Sequence, residues 1–307
     1  MRQAILMKRI FALALALTAP VAAAQEGQGD VVYVPTPQVV VDEMLRMAKV
    51  GPEDYLIDLG SGDGRIIITA ATKLGARGFG VDLDTYLLKV ANENARKAGV
   101  ADRAQFFERN LFETDLTKAT VITSYLLPEL NEKLRPKLLA LKPGTRVVTH
   151  DYSMGDWDAD GEKTLLVPEK TVGDPGKSYI FLYIVPARVA GEWESTVTVG
   201  GRPVTYRFGL EQQFQLVHGT VKVNGRDVRL RQFRLAGDRI AFSLSPPVGG
   251  KPLPHRFSGE VRDDNIEGTV TIGSGPGQRA VPWRARLVRR GEMRMGAGEA
   301  MLAGGDR

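Results

Sequence analysis

The chain has 307 residues, of which 43% are hydrophobic and 25% are charged. Because a domain commonly has about 100 to 200 residues, this length predicts two domains, and the ordinary composition excludes collagen, a coiled-coil rod and global disorder. The lack of cysteine excludes disulfide frameworks and cysteine nucleophiles. Only three histidines are present, none within one helical turn of another, so we expect no metal site.

The formal net charge of +5 is distributed unevenly along the chain. Residues 1–24 carry +3, residues 25–190 carry −4 and residues 191–307 carry +6. Sixteen of the eighteen cations in the last segment are arginine. This basic segment would suit an anionic envelope or membrane surface, although arginines scattered over solvated strands are the more common origin of such a composition. A chain without residues 1–24 would carry only +2, so we expect no nucleic-acid partner.

The amino terminus has the pattern of an export signal. Lys8 and Arg9 precede an apolar run over residues 10–19, and Ala22-Ala23-Ala24 then supplies the small residues that a signal peptidase requires. The run is shorter than the roughly 20 apolar residues of a membrane-spanning helix. We therefore expect a signal peptide over residues 1–24 and a periplasmic or otherwise exported protein, with an uncleaved membrane anchor as the alternative.

Helical and strand patterns alternate between residues 39 and 150. The predicted helices cover residues 39–50, 65–74, 85–98 and 129–141, and the predicted strands cover residues 55–59, 78–82, 105–108, 121–125 and 146–150. This alternation predicts an α/β fold, a doubly wound parallel sheet with helices on both faces. Two further strands, 165–168 and 178–185, follow without an intervening helix and predict an antiparallel pair at the edge of the sheet.

After residue 188 the pattern changes to strands and tight turns. Asn224-Gly225, within the apolar alternation of residues 221–230, is a hairpin signal. We expect an all-β C-terminal domain over residues 189–290, either a sandwich or a small barrel. Residues 291–307 are rich in Gly and Ala and predict a disordered tail.

The motif most closely linked to chemistry is Asp58-Leu59-Gly60-Ser61-Gly62-Asp63-Gly64-Arg65, where the first strand meets its helix. Doubly wound folds bind nucleotides in this crevice. A dinucleotide site needs G-x-G-x-x-G, whereas here the third glycine comes one residue early and an acid precedes the first glycine by two residues. The loop therefore favours a cationic ligand without phosphate over NAD, with a purely structural turn as the alternative. Asp82 lies 22 residues after Gly60, near the spacing of a carboxylate that binds ribose hydroxyls.

Over residues 30–188 these motifs resemble class I S-adenosylmethionine-dependent methyltransferases. Tyr33-Val34-Pro35-Thr36-Pro37 and Arg146-Val147-Val148, with Trp157, are similar more narrowly to the DOT1-like small lysine methyltransferases of the FAM173 type. The resemblance implies a Rossmann-like methyltransferase domain and S-adenosyl-L-methionine as the cofactor. The cofactor-binding residues that it implies are Tyr33, Thr36, Asp58, Gly60, Gly62, Asp82, Asn110 and Leu111.

The resemblance also implies a role for each of these residues. Asp58 and the two glycines hold the methionine part of the cofactor, and Asp82 holds the ribose. Asn110-Leu111 contacts the adenine, while Tyr33 and Thr36 fold over the cofactor from the N-terminal arm. The family usually has Asp where Asn110 stands, and the Asn carbonyl can still accept a hydrogen bond from the adenine amino group.

Methyl transfer is an in-line displacement that depends mainly on the alignment of nucleophile, methyl group and sulfur. Candidates to orient the nucleophile are Ser124 and Tyr125 after the fourth strand, and His150 with Asp151 after the fifth. His150 could act as a base, and a hydrogen-bonded structural histidine is the alternative. Plain packing is the alternative for Tyr125. Trp157 either walls the substrate channel or caps the core.

The sequence therefore predicts an S-adenosylmethionine-dependent methyltransferase whose acceptor is a protein lysine side chain. Two alternatives remain at this point. One is a methyltransferase that acts on a small-molecule or lipid-like acceptor collected by the β domain. The other is an exported protein that binds a ligand without catalysis.

Overall fold

A computed structural model describes residues 33–248 and 250–296, and residues 33–184 form a seven-stranded sheet with helices on both faces. In chain order its elements are α1 (Gln38–Met47), β1 (Tyr55–Leu59), α2 (Arg65–Leu74), β2 (Arg77–Asp82), α3 (Thr85–Lys97), β3 (Ala104–Glu108), β4 (Val121–Ser124), α4 (Pro128–Leu139), β5 (Arg146–His150), β6 (Gly161–Val167) and β7 (Gly176–Ile184). The strand order is β3-β2-β1-β4-β5-β7-β6. The first five strands run parallel and β7 lies antiparallel between β5 and β6, which confirms the predicted α/β fold.

Alternate residues of the central strands face opposite layers of helices, as the pleat of a strand requires. Leu56 and Val148 pack on the face covered by α1, α2 and α3. Ile57 and Val147 pack on the opposite face, where α4 contributes Leu134 and Leu138. The strands are therefore buried on both sides, which explains why they read as short apolar runs without polar alternation.

Several element boundaries differ from the predicted ones. The first helix ends at Met47, three residues early, because the chain turns at Lys49, whose φ is 50°. The sixth strand begins at Gly161, four residues earlier than predicted, because its pairing with β7 extends as far as Leu182. Such shifts move no predicted site residue to another element.

The second half of the chain is all β, as predicted. Its elements are β8 (Gly191–Val199), β9 (Arg202–Gln213), β10 (Leu216–Val223), β11 (Arg226–Val228), β12 (Arg231–Ala236), β13 (Arg239–Leu244), β14 (Pro247–Val248), β15 (Lys251–Pro252), β16 (His255–Arg262), β17 (Asn265–Ile272), β18 (Arg279–Arg290) and β19 (Met293–Arg294). One antiparallel sheet runs in the order β11-β10-β9-β8-β18-β17-β16-β13-β12. The sheet curls until β12 lies against β10. The result is a half-barrel, nearer to the small barrel than to the sandwich.

The start of the predicted disordered tail is ordered, which corrects that expectation for residues 291–296. The short strand β19 pairs in parallel with the end of β9, Met293 opposite Gln212. Met295 packs against the same core as Trp157. These two methionines supply the apolar contacts that the Gly and Ala content of the segment conceals. The rest of the tail and the predicted signal peptide over residues 1–24 lie outside the described residues.

The two sheets are joined by direct packing around the turn between β9 and β10. Gln212 fixes the connecting chain, since its side-chain oxygen accepts from the Val189 amide at 2.8 Å and its nitrogen donates to the Ala187 carbonyl at 2.9 Å. Phe214 stacks on the Trp157 ring with 6.0 Å between centroids. Trp157 is 1% exposed and therefore has the position expected of a core cap.

Among the described residues, no helix has the length and apolar character needed to cross a bilayer.

Candidate active site

The glycine loop between β1 and α2 folds back over the end of β2. The Gly60 and Ser61 amides both donate to the Val81 carbonyl, at 2.9 and 3.0 Å. Gly60, Gly62 and Gly64 have φ values of 77°, 52° and 81°, a region that only glycine adopts without strain. The three glycines at alternate positions are thus a requirement of the loop conformation, and among them Gly60 is exposed whereas Gly62 and Gly64 are buried.

Asp58 is the most strongly perturbed acid of the site. It is 2% exposed, and its Oδ1 accepts a hydrogen bond from Thr123 Oγ1 at 2.7 Å. Burial raises its pKa to about 7 despite the Thr123 hydrogen bond, and the carboxyls of Asp82 and Asp63 raise it further. A buried carboxyl with a pKa of about 7 suits a cationic ligand, because the positive charge would stabilise the ionised form.

Asp82 lies at the end of β2 and is fixed by two backbone amides. Its Oδ2 accepts from the Gly62 amide at 2.9 Å and its Oδ1 accepts from the Asp84 amide at 3.0 Å. Each carboxylate oxygen retains a second lone pair, and the side chain is only partly buried. The carboxylate can therefore accept from a pair of adjacent hydroxyls without moving, as the predicted contact with ribose requires.

The N-terminal arm crosses the glycine loop, and Arg65 holds it in place. A Cβ atom on Gly62 would lie 2.4 Å from Cε2 of Tyr33, so the tyrosine ring rests directly on the loop backbone. Burial and the nearby Asp63 carboxylate raise the pKa of Tyr33 to about 12. The Arg65 guanidinium donates to the Thr36 carbonyl at 2.8 Å and forms an ion pair with Asp63 at 2.6 Å. Tyr33 and Thr36 are thus brought to the loop from at least 22 residues away in the sequence.

Asn110 and Leu111 lie at the end of β3, beside β2. Asn110 Oδ1 accepts from the Phe112 amide at 3.0 Å, and its own carbonyl accepts from Thr114 Oγ1 at 2.9 Å. These bonds make Asn110 the first residue of a tight turn, a role that aspartate fills equally well. Leu111 is partly buried and packs against the hydrophobic core on the α4 face of the sheet. Their contact with adenine stays a prediction.

The ends of β4 and β5 bring Tyr125 and Asp151 together. The Tyr125 hydroxyl donates to Asp151 Oδ2 at 2.9 Å. Lys170 Nζ lies 2.7 Å from the same oxygen, and the Tyr179 amide donates to Oδ1 at 3.1 Å. Burial, together with the Asp151 hydrogen bond and charge, raises the pKa of Tyr125, so its hydroxyl stays protonated. Leu126, the next residue, would contact a Cβ on Gly60 at 3.1 Å, which places this segment against the glycine loop.

His150 lies behind Tyr125 and is fully buried. Its Nδ1 lies 3.1 Å from Thr36 Oγ1 and its Nε2 lies 3.0 Å from Ser178 Oγ, so both ring nitrogens have partners. Burial lowers its pKa to about 4. The Tyr125 ring lies against the imidazole, with 4.0 Å between centroids. This environment favours the structural alternative for His150, with the imidazole tying the N-terminal arm to β5 and β7.

Several residues of the site were not identified from the sequence. Thr123 was read only as part of a buried strand, although it is the residue paired with Asp58 across β1 and β4. Lys170 and Ser178 lie on the connection to β7 and on β7 itself, and no local pattern marks them. Arg65 is named in the sequence analysis only as the last residue of the glycine motif. Its spacing of two from Asp63 is the signal that could have revealed the ion pair.

The site residues fit S-adenosylmethionine on two independent grounds. Asp58 and the exposed backbone of Gly60 suit a cationic amino acid moiety, and Asp82 suits a ribose diol. A positively charged group and a diol are both features of this cofactor, whereas a pyrophosphate would meet the acids of the loop, where the Arg65 guanidinium is already paired with Asp63.

Comparisons with known proteins agree with this geometry. Residues 58–161 match the family model described as the ANTKMT methyltransferase domain. A protein-lysine N-methyltransferase of Saccharolobus islandicus is 48% identical over 128 residues, which span 41% of this chain and 80% of the relative. The adenine nucleotide translocase lysine N-methyltransferase of Mus musculus is 31% identical over 127 residues, 41% of this chain and about half (55%) of the mouse protein.

A solved structure described as an RNA methyltransferase from Salinibacter ruber, in complex with S-adenosyl-L-homocysteine, is 47% identical. It covers 51% of this chain and 96% of its own, with a TM-score of 0.46. The identity and coverage of the Saccharolobus islandicus relative establish the family. The chain is an enzyme that belongs to the S-adenosylmethionine-dependent methyltransferase family represented by the ANTKMT methyltransferase domain.

Proposed function

We propose that this enzyme transfers the methyl group of S-adenosylmethionine to the side-chain amine of a protein lysine. The observation that carries the proposal is the pair formed by the Tyr125 hydroxyl and the Asp151 carboxylate, 2.9 Å apart at the strand ends beside the glycine loop. The lysine methyltransferases to which the chain is similar support the same class of acceptor.

The pair suits an amine acceptor for a physical reason. The amine must be neutral when it attacks, and its lone pair must point at the methyl group. Because the Tyr125 hydroxyl donates its hydrogen bond to Asp151, the phenol oxygen keeps its lone pairs free to accept a hydrogen bond from an N–H of the incoming amine. In the proposal Tyr125 orients the nucleophile and Asp151 orients Tyr125. His150 supports both from behind and takes no proton.

When bound, the cofactor supplies an activated methyl group on a sulfonium. Asp58 and the glycine loop hold its amino acid moiety, and Asp82 holds its ribose. The Tyr33 ring covers the loop and limits the access of water. No strong base is needed, since the amine can lose its proton to solvent before it attacks.

The acceptor can be identified by labelling. Purified enzyme with a radiolabelled methyl donor is added to a cell-envelope extract, and the label is then separated into protein, lipid and RNA fractions. We expect the label in protein, released as methyl-lysine after hydrolysis. Label in the lipid fraction would favour the lipid-like acceptor instead, and label removed by ribonuclease would overturn the lysine proposal.

The Tyr125 role has its own test. Tyr125→Phe should lower kcat by at least about tenfold through loss of alignment, with little change in the Kd for the cofactor. Tyr55→Phe is the matched control, because Tyr55 begins β1 at the opposite end of the parallel strands. Equal rates for the two variants would show that Tyr125 only packs.

We also propose that the protein is exported, on the basis of the charged head, apolar run and alanine cluster of residues 1–24. Fusion of residues 1–30 to a reporter that is active only outside the cytoplasm should give activity, with cleavage after Ala24 seen by terminal sequencing. An exported but uncleaved fusion would indicate the membrane anchor, and a reporter retained in the cytoplasm would refute export.

A further inference from the structure

The half-barrel contains a cavity that is separate from the methyltransferase site. It has a volume of about 280 Å³ and lies at one end of the curled sheet, between the β8–β9 turn and the β10–β11 hairpin. Its walls include the valines at positions 199, 204, 223 and 228. Small-molecule pockets have volumes from about 300 Å³ upward, so this cavity has room only for a small occupant.

His255 is the buried polar group of this cavity. It is the first residue of β16, is 1% exposed and lines the cavity wall. Its Nδ1 lies 2.9 Å from the Tyr206 hydroxyl. Its Nε2 is buried and has no hydrogen-bond partner among the described residues. A buried nitrogen without a partner is costly, which indicates that this atom is directed at a ligand.

The Tyr206 hydroxyl determines which form of the imidazole faces the cavity. Burial raises the pKa of Tyr206, so the phenol keeps its proton and is able to donate a hydrogen bond to Nδ1. Burial also lowers the pKa of His255, so the imidazole is neutral. With Nδ1 as the acceptor of this hydrogen bond, the single imidazole proton sits on Nε2. The cavity therefore presents an N–H donor at its buried end.

Arg226 supplies a positive charge at the mouth of the cavity. It begins β11, is exposed and has no ion pair within the described part of the chain. Some arginines of the sheet are paired with cross-strand acids, such as Arg207 with Glu194 at 2.8 Å and Arg284 with Glu267 at 2.5 Å. The charge of Arg226 is thus available to a ligand, and no acid lines the cavity to oppose an anion.

We propose that this cavity binds a small aliphatic carboxylate. A carboxylate oxygen accepts the hydrogen bond from His255 Nε2, Arg226 balances the negative charge, and the valine side chains cover the aliphatic chain. The assignment does not depend on the acceptor proposed for the methyltransferase site. The second domain would thus bind a ligand of a different chemical class from the methyl donor.

Calorimetry on the full chain tests the assignment with octanoate, acetate and 1-octanol as probes. We expect octanoate to bind saturably at one site per chain. Acetate lacks the chain and octanol lacks the charge, so each should bind at least about tenfold more weakly. Arg226→Gln should weaken octanoate binding by roughly five- to tenfold, whereas Arg229→Gln, a nearby exposed arginine that does not line the cavity, should leave it unchanged.

Nuclear magnetic resonance locates the bound probe. The chain has only three histidines, so the His255 ring nitrogens can be followed individually, and octanoate should shift Nε2 of His255 but neither nitrogen of His150. Four results would each overturn the proposal: no saturable octanoate binding, equal affinity for octanol, equal affinity for acetate, or binding that leaves the His255 signals in place.

Discussion

Without cofactor at neutral pH, the wild-type enzyme should be less stable than the Asp58→Asn variant, which carries no charge at position 58. In Asp58→Asn the shape is kept, and the Thr123 hydroxyl can still donate to the side-chain oxygen at position 58. The folded carboxyl has a pKa of about 7 against an ordinary value of 3.8. Between these two values the native state holds a proton that the unfolded chain has already lost, so the wild-type stability falls as pH rises through this window.

The size of the effect follows from the pKa difference. Each unit corresponds to about 1.4 kcal/mol, and about two units separate pH 5 from the pKa of the folded carboxyl. The unfolding free energy of the wild type should therefore fall by about 2 to 3 kcal/mol relative to the variant between pH 5 and pH 8. S-adenosylmethionine should reverse this difference, because only the wild type offers an ionised carboxylate to the cationic ligand.

Urea titration without cofactor measures this difference. The helical circular dichroism signal reports on the first half of the chain, since all four described α-helices lie there. Asp102→Asn, an exposed aspartate after α3, is the control and should show no pH-dependent difference from the wild type. A constant gap between wild type and Asp58→Asn from pH 5 to pH 8, or a variant that is less stable at pH 8, would refute the reasoning.

Three further changes test other parts of the site. Asp82→Ala should weaken cofactor binding by at least about tenfold in calorimetry, and unchanged affinity would contradict the ribose role. Gly62→Ala should lower the unfolding free energy by about 1 to 3 kcal/mol in urea titration, because φ is 52° and the new Cβ would lie 2.4 Å from an aromatic carbon. Gly51→Ala, with open space around its Cβ, is the control. Lys170→Met should lower the unfolding free energy by about 3 to 5 kcal/mol in the same titration, because it leaves Asp151 buried without its cation. A double variant that adds Asp151→Asn should recover part of this loss.

The sequence predicted the parallel sheet and its glycine loop because both depend on local signals. Apolar runs such as Tyr55–Leu59 are long enough only for buried strands, and the glycines after Asp58 read directly as a loop that needs positive φ. The position of Asp82 followed from the fixed geometry of a strand–helix–strand unit. Each of these inferences spans fewer than about 30 residues.

The parts that could not be predicted depend on contacts between distant segments. Thr36 and His150 are 114 residues apart, and no pattern at either position specifies their hydrogen bond. Lys170 reaches Asp151 only because β7 returns antiparallel beside β5. The single curled sheet of the second half was equally out of reach, since the same hairpins build a sandwich or a barrel and only the long-range pairing of β18 with β8 selects one.

Further long-range contacts tie the second half of the chain to the loop that follows Asp151. The loop that follows Asp151 is held from one side by Asn131, which donates to the Ser153 carbonyl at 3.2 Å. From the other side, Trp157 donates to Gln215 Oε1 at 3.0 Å. Gln215 lies in the β9–β10 turn of the half-barrel and also donates to the Asp158 carbonyl at 2.7 Å. Since this loop leads directly from the predicted catalytic pair, the half-barrel helps to hold the segment beside that pair, and a chain shortened to its family-matched residues would lose both contacts of Gln215.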